Sequence, residues 1–212
     1  MKKIVSIIFL FLLNPIIFIG AQTLTGKWIS HPFPATKFSP PLIRCGGSVG
    51  VFSHYQSGTI SFFDANTGVW RDKKLNVGEY VLESSANGNI AFAYTNDSML
   101  IAYSSIAHHL DTIKFQGRHL VDPQLWSCGT NLAVFATVEF LYVFDGYDGL
   151  WHVLNITLPS NYAFPPVRIL MGSDYALLLI YRGGGEPTKH YVYSLPHHAF
   201  NQIEYGPLPN EM

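Results

Sequence analysis

Five consecutive residues, Gly46-Gly47-Ser48-Val49-Gly50, match the motif Gly-x-Ser-x-Gly, which in many hydrolytic enzymes presents a serine nucleophile. That chemistry requires a strand, a sharp turn and then a helix, so that the serine hydroxyl is exposed on the turn. Here a strand-like segment follows Ser48, and the equivalent positions elsewhere in the chain are ordinary turns. We therefore predict that Ser48 is a turn residue and not a nucleophile.

Two pairs of adjacent histidines, His108-His109 and His197-His198, are the residues that most resemble metal ligands. Neighbouring residues on a strand point to opposite faces of the sheet, so such a pair is a poor chelator of one ion. We predict that both pairs are exposed in turns between third and fourth strands, on different parts of the fold. The sequence accordingly predicts no metal site and no cofactor.

The other residues with reactive side chains, two aspartates and two cysteines, also have structural interpretations. Asp64 and Asp145 each precede a short turn, where an aspartate accepts a hydrogen bond from the backbone N–H two residues later. Cys45 and Cys128 occupy equivalent positions in the first and third repeats, so a whole sheet separates them. A disulfide requires Cα atoms within roughly 7 Å of each other, which this separation exceeds. We predict turn roles for the aspartates and free, buried thiols for the cysteines.

The chain of 212 residues begins with a segment typical of a secretory signal peptide. Lys2 and Lys3 precede an apolar run over residues 4–19, and small residues at Gly20-Ala21 suit a signal peptidase. We predict residues 1–21 to be a signal peptide and residues 22–212 to be one domain, secreted or periplasmic; an uncleaved N-terminal anchor is the alternative. The charge balance, 13 Lys+Arg against 14 Asp+Glu, argues against nucleic acid as a partner. No later apolar run predicts membrane attachment after cleavage.

Four stretches repeat along the chain at intervals of 41, 42 and 43 residues. Each follows a tight turn and begins with a polar residue, at Ser48, Asn89, Asn131 and Asp174. An apolar or aromatic residue opens a later strand in each repeat, at Trp70, Leu110, Trp151 and Phe200. Each repeat divides into four short strands, predicted in the second repeat at Glu79–Ser84, Asn89–Thr95, Met99–Ser104 and His109–Phe115.

Four strands in a repeat of about 40 residues indicate a β-propeller blade. We predict an all-β, β-propeller-like fold of about four four-stranded blades, near residues 37–78, 79–118, 119–160 and 161–209; a β-sandwich is the alternative. The hairpins Phe63-Asp64 to Trp70 and Phe144-Asp145 to Trp151 resemble kelch and quinoprotein blades, in which a tryptophan opens the outer strand. The resemblance is architectural and implies no activity. The blades of a propeller form a closed ring. Here the ring is expected to be irregular, to belong to a larger propeller, or to be completed by a second copy of the chain.

Ligands of propellers usually meet the loops after the second and fourth strands, which emerge on one face of the fold. We predict ligand-binding residues in these loops, namely His54, Tyr55, His119, Asp122, Tyr162, Arg182, Glu186 and His190. No catalytic residues are predicted, although four members of this set, His54, His119, Asp122 and Glu186, are the groups an enzyme would need.

The sequence therefore favours a secreted propeller that acts as a binding or interaction module, with a protein or a carbohydrate as its ligand. One alternative is an extracytoplasmic propeller enzyme, a hydrolase or a lyase. Another is an incomplete propeller without independent activity. Homo-oligomerisation that completes the ring is a further partner prediction.

Overall fold

The computed structural model describes residues 42–54, 58–117, 126–156, 167–180 and 189–204. These ranges form sixteen β-strands in four antiparallel sheets, each built from four consecutive strands. The first sheet comprises β1 (Leu42–Gly46), β2 (Val49–Ser53), β3 (Thr59–Asp64) and β4 (Val69–Lys74). The second comprises β5 (Val81–Asn87), β6 (Ile90–Thr95), β7 (Met99–Ser104) and β8 (His109–Lys114). The third comprises β9 (Trp126–Cys128), β10 (Leu132–Ala136), β11 (Phe140–Asp145) and β12 (Leu150–Asn155). The fourth comprises β13 (Val167–Met171), β14 (Tyr175–Ile180), β15 (Lys189–Ser194) and β16 (Ala199–Glu204), with a short 3-10 helix at Leu195–His197.

Each sheet is a meander whose strands pair in sequence order. The turn between the first and second strands requires positive φ, which Gly47 (58°) and Gly88 (54°) adopt without the steric cost of a Cβ atom. The residues predicted to open the outer strands are each the second residue of a fourth strand, namely Trp70, Leu110, Trp151 and Phe200. The four-stranded repeat is confirmed.

One predicted strand begins too early. The sequence predicts a strand at Glu79–Ser84, whereas β5 begins at Val81. The buried Glu79 carboxylate instead accepts hydrogen bonds from the Asn76 backbone N–H at 2.9 Å and from the Thr95 hydroxyl at 2.6 Å. Glu79 therefore closes the loop that enters the second sheet.

The sheets pack in series, and a hydrophobic core lies between each sheet and the next. Val51 and Phe62 of the first sheet pack against the second, in a core completed by Val49, Ile60, Val81, Ala91, Ala93, Ile101 and Tyr103. Phe92 of the second sheet packs against Phe135 of the third, and Val134 of the third packs against Leu178 of the fourth. Three cores between four sheets identify an all-β, propeller-like fold, because a β-sandwich has one core between two sheets.

We call the face of a sheet toward the preceding sheet, or the equivalent face of the first sheet, its leading face, and the opposite face its trailing face. On the leading face, one position of the second strand carries a small residue throughout, at Gly50, Ala91, Ala133 and Ala176. The three alanines are at most 3% exposed. A small residue here lets larger trailing-face side chains of the neighbouring sheet approach closely.

Across the described residues, no helix has the length and apolar character needed to cross a membrane.

The turns of neighbouring sheets also touch, which generates a prediction about Gly47. The Ser48 N–H donates to the Gly88 carbonyl at 2.7 Å, and a Cβ atom on Gly47 would overlap the Gly88 backbone. Gly47→Ala should lower the free energy of unfolding by roughly 2–4 kcal/mol, because left-handed strain adds to displacement of the second sheet.

Gly78→Ala is the matched control, since Gly78 also has positive φ (82°) but a Cβ atom there meets no described atom within 4 Å. Its loss should be about 1 kcal/mol. Urea unfolding followed by circular dichroism measures both, and equal losses would show that contact between the turns contributes nothing.

Candidate functional site

The most developed polar sites of the described chain lie between sheets, at the ends of their third strands. In the first aspartate cluster, Asp64 Oδ2 accepts hydrogen bonds from the Tyr103 hydroxyl at 2.8 Å and from His108 Nδ1 at 2.9 Å. In the second aspartate cluster, Asp145 Oδ2 accepts from the Tyr193 hydroxyl at 2.8 Å and lies 2.7 Å from His198 Nδ1. Each cluster joins an odd-numbered sheet to the even-numbered sheet that follows.

We call the contact between two successive sheets a joint. The sequences of the third strands explain why the clusters form at alternate joints. In the first and third sheets this strand ends in Phe-Asp (Phe63-Asp64 and Phe144-Asp145), whereas in the second and fourth it ends in Tyr-Ser. A buried tyrosine hydroxyl needs an acceptor, and the aspartate of the preceding sheet supplies it. Both carboxylates are completely buried.

The predicted turn role of the two aspartates is confirmed. Asp64 Oδ1 accepts the Asn66 backbone N–H at 2.9 Å, and Asp145 Oδ1 accepts the Tyr147 backbone N–H at 2.8 Å. Their contacts with the next sheet were not predicted, although the alternation of Phe-Asp and Tyr-Ser was a usable signal.

Burial and hydrogen bonding act in opposite directions on the first cluster. Burial raises the pKa of Asp64, but the hydrogen bonds from Tyr103, His108, Asn66 and Thr67 together outweigh it, so the pKa lies below its ordinary value of 3.8. Burial and the adjacent carboxylate both raise the pKa of Tyr103. Asp64 is therefore ionised and Tyr103 protonated at neutral pH, which suits the tyrosine as donor.

The second cluster contains two additional metal-ligating side chains, Asp148 and His152. His152 Nε2 lies 2.8 Å from Asp148 Oδ2, and His198 Nδ1 lies 3.6 Å from the same oxygen. Ligand atoms of Asp145, Asp148 and His152 all lie within 4.8 Å of one another. This is the group of described residues that could hold a metal ion.

The joint between the second and third sheets uses different hydrogen bonds. The Ser104 hydroxyl donates to the Gly146 carbonyl, and the Trp151 backbone N–H donates to the Asp111 carboxylate at 3.0 Å. Neither bond involves a tyrosine of the following sheet, so the odd and even joints are chemically distinct.

Polar residues at the start of each repeat link the tight turns of successive sheets. The Ser48 hydroxyl donates to Asn89 Oδ1 at 2.9 Å, and Asn89 Nδ2 donates to Asn131 Oδ1 at 2.8 Å. Asn131 Nδ2 then donates to the Ser173 carbonyl at 3.3 Å. Ser48 is thus a turn residue in this chain of hydrogen bonds, and β2 follows it directly, as predicted.

The predicted positions of the histidine pairs are confirmed in part. His108 and His198 lie in turns before the fourth strands, whereas His197 ends the 3-10 helix and His109 is the first residue of β8. The prediction that they are simply exposed is incomplete. The side chains of His108 and His198 are 49% and 46% exposed, yet each contacts the aspartate of the preceding sheet.

The predicted state of the cysteines is correct in part. Both are free. Burial raises the pKa of the Cys128 thiol to about 12, and its S–H points to the Ile90 carbonyl at 3.6 Å. Cys45 is exposed, so the prediction of a buried thiol is wrong there. It lies on β1 opposite Gly50, on the leading face, which no earlier sheet of the described chain covers.

The residues predicted to bind a ligand are described only in part. His54 directly follows β2 and is buried, with 5% of its surface exposed. His190 is half-buried in β15, opposite Leu179 and Ile203. The other six lie outside the described residues, namely Tyr55, His119, Asp122, Tyr162, Arg182 and Glu186. A ligand site in these loops therefore stays a prediction.

Comparison with known proteins yields structural similarity alone. No protein-family model and no curated protein matches the chain. The chain is similar to the crystal structure of HIRA(644-1017), with 14% identity and a TM-score of 0.48 over 82% of this chain and 58% of that one. It is similar to BamB from Moraxella catarrhalis, with 13% identity and a TM-score of 0.37 over 77% and 49%. The computationally designed Ika4 protein matches over 86% of this chain and 100% of its own, with 12% identity and a TM-score of 0.39. The chain thus spans little more than half of HIRA(644-1017) and about half of BamB.

The first aspartate cluster predicts how stability depends on pH. A carboxyl whose folded-state pKa is lowered contributes stability above its ordinary pKa, and the contribution is lost as pH falls through the folded-state pKa. Asp64→Asn should therefore lower the free energy of unfolding by about 2 kcal/mol at pH 6. The difference from the wild type should shrink as pH falls below about 4, because the carboxyl of the unfolded chain binds a proton there while that of the folded chain binds one only at still lower pH.

Asp97→Asn is the control, because Asp97 is exposed and forms a surface ion pair with Lys114 at 3.2 Å. It should cost less than about 1 kcal/mol. Urea unfolding at pH 6 and at pH 3 provides the comparison; a difference for Asp64→Asn that is the same at both would contradict the role of its charge.

Proposed function

We propose that this protein is a β-propeller interaction module that binds protein through the trailing face of its fourth sheet. The observation that supports this is an exposed apolar surface on that face. Leu170, Tyr175 and Ile203 are 37%, 51% and 43% exposed. They share the face with the half-buried Leu177 and Val192. Contiguous apolar surface on a sheet face is typical of a protein-binding site.

Equivalent positions in the other sheets are buried beneath the next sheet. Val51, Phe92 and Val134 correspond to Leu177 and are at most 1% exposed. The trailing face of the fourth sheet therefore carries apolar side chains at a position that forms the core in the other three sheets, together with the polar side chains of Arg168, His190 and Asn201. A covering sheet of similar shape would remove this surface from water.

The partner we propose is a second copy of this chain, because the leading face of the first sheet is equivalent to that of the third. Phe63 packs on Trp70 with ring centroids 4.9 Å apart, and the corresponding Phe144 and Trp151 lie 5.4 Å apart. In the third sheet, Trp151 packs on Phe92 of the second sheet at 6.0 Å.

The alternation of the sheets supports the same pairing. An even-numbered trailing face meets an odd-numbered leading face at the joint between the second and third sheets. The fourth sheet of one copy and the first sheet of another would repeat this joint. Two copies joined head to tail at both ends would form eight sheets in series, closed by two-fold symmetry.

An extracytoplasmic location is part of the proposed function and is supported by the signal-like sequence of residues 1–21. The carbohydrate ligand, the likeness to kelch or quinoprotein blades and the enzyme alternative stay predictions, since no described contact favours them.

The location generates its own prediction. Chain recovered from the periplasm or medium of an expressing bacterial culture should begin at Gln22, because small residues precede it at the peptidase site. N-terminal sequencing and intact mass identify the terminus. Chain that retains Met1 and stays in the cell would contradict the proposed location.

The dimer is tested by placing a charge on the exposed face. Ile203→Lys should weaken self-association by at least about tenfold, because an unpaired ammonium buried in an apolar contact is strongly unfavourable. Multi-angle light scattering over a concentration series measures the mass of the purified protein.

Val153→Lys is the matched control, since Val153 is also 43% exposed on a fourth strand but lies on the face with Trp151, away from the proposed contact. It should leave the mass unchanged. A wild-type monomer at all concentrations, or equal effects of both variants, would overturn the proposed pairing.

A further inference from the structure

We propose that the second aspartate cluster is a Zn²⁺ site whose ligands are Asp145, Asp148 and His152. One ligand atom from each lies within 4.8 Å of the other two. Imidazole nitrogen with carboxylate oxygen is a donor set that suits Zn²⁺, and three protein ligands with a water molecule complete a tetrahedral shell.

The first aspartate cluster is an internal comparison for this site. Thr67 and Arg71 lie three and seven residues after Asp64, as Asp148 and His152 lie after Asp145. The first cluster therefore contains one carboxylate and one guanidinium, and the positive charge of Arg71 acts to lower the pKa of Tyr103. The second cluster has two carboxylates, and a histidine replaces the arginine. A divalent cation would supply the positive charge that Arg71 provides in the first cluster.

The ligands are held in place by contacts of the kind that orient metal-binding side chains. Asp145 is completely buried and accepts hydrogen bonds from the Tyr193 hydroxyl and the Tyr147 backbone N–H. Asp148 Oδ1 accepts the Leu150 backbone N–H at 2.8 Å. Such outer contacts fix the direction of the ligand atoms and strengthen metal binding.

Coordination requires side-chain movements of up to about 1.5 Å, since the ligand atoms now lie within 4.8 Å of one another. His152 Nε2 lies 2.8 Å from Asp148 Oδ2, whereas two ligand atoms on a tetrahedral Zn²⁺ lie about 3.3 Å apart. The side chains of Asp148 and His152 are 27% and 26% exposed, so an ion can enter from solvent and keep a bound water. His198, 2.7 Å from Asp145, would remain as an outer partner and connect the ion to the fourth sheet.

The test exchanges residues between the two clusters. The purified protein is stripped with a chelator and titrated with ZnCl₂ in competition with a chromophoric chelator. The wild type should bind one Zn²⁺ per chain. Asp148→Thr with His152→Arg, which copies the first cluster, should weaken binding by at least about 100-fold. His152→Gln, which keeps a hydrogen-bonding side chain, should do the same if the double variant does not fold.

The converse exchange provides the positive control. Thr67→Asp with Arg71→His should add a second Zn²⁺ to the chain, and Co²⁺ in place of Zn²⁺ should give the visible spectrum of tetrahedral coordination at both sites. The chain contains nine histidines, and Zn²⁺ bound by other histidines would be recognised because the variants of the second cluster would leave it unchanged. Wild type that binds no Zn²⁺, or folded variants of the second cluster that bind it undiminished, would overturn the proposal.

Discussion

A four-stranded sheet with apolar side chains on both faces gains stability from each face that another sheet covers, and the rest of the described structure depends on this covering. The small residue on each leading face lets the trailing face of the preceding sheet approach closely. The polar residues at the ends of the strands lie in the same joints, where burial of an unpaired carboxylate or hydroxyl would be unfavourable in free energy. Asp64 is tolerated without exposure because Tyr103 and His108 of the next sheet donate to it. Apolar packing and polar pairing therefore stabilise the same joints.

The two kinds of joint differ in the polar groups that they bury between the sheets. Where an odd-numbered sheet is followed by an even-numbered one, the joint buries a carboxylate that accepts a hydrogen bond from a tyrosine of the second sheet. The joint between the second and third sheets relies on Ser104 and a backbone carbonyl, with Asp111 on the Trp151 N–H. The second aspartate cluster shows how one joint can acquire a further property, since Asp148 and His152 replace Thr67 and Arg71 without any change in the backbone pattern of the hairpin.

Most of the fold could be predicted from the sequence, because strand alternation, turn glycines and the repeat period are local signals. Trp70 and Trp151 located the outer strands for this reason. The clusters could not be predicted in the same way, since Asp64 and Tyr103 are 39 residues apart and meet only when two sheets stack. The sequence predicts ligand residues in the longer loops, whereas the polar side chains that converge in the described structure lie at the tight turns. The predicted burial of Cys45 is wrong because its equivalence to Cys128 in sequence does not indicate whether another sheet covers it.

The alternation of Phe-Asp and Tyr-Ser strand ends also constrains how this chain can have evolved. Deletion of the third repeat would set two Tyr-Ser sheets side by side, and deletion of the second would do the same for two Phe-Asp sheets. In the first case a buried tyrosine would lose its acceptor, and in the second a buried aspartate would lose its donor. Loss or gain of two adjacent repeats preserves every joint. Homologous chains of different length should therefore differ by pairs of blades, so that the inherited unit is about twice the length of the structural repeat.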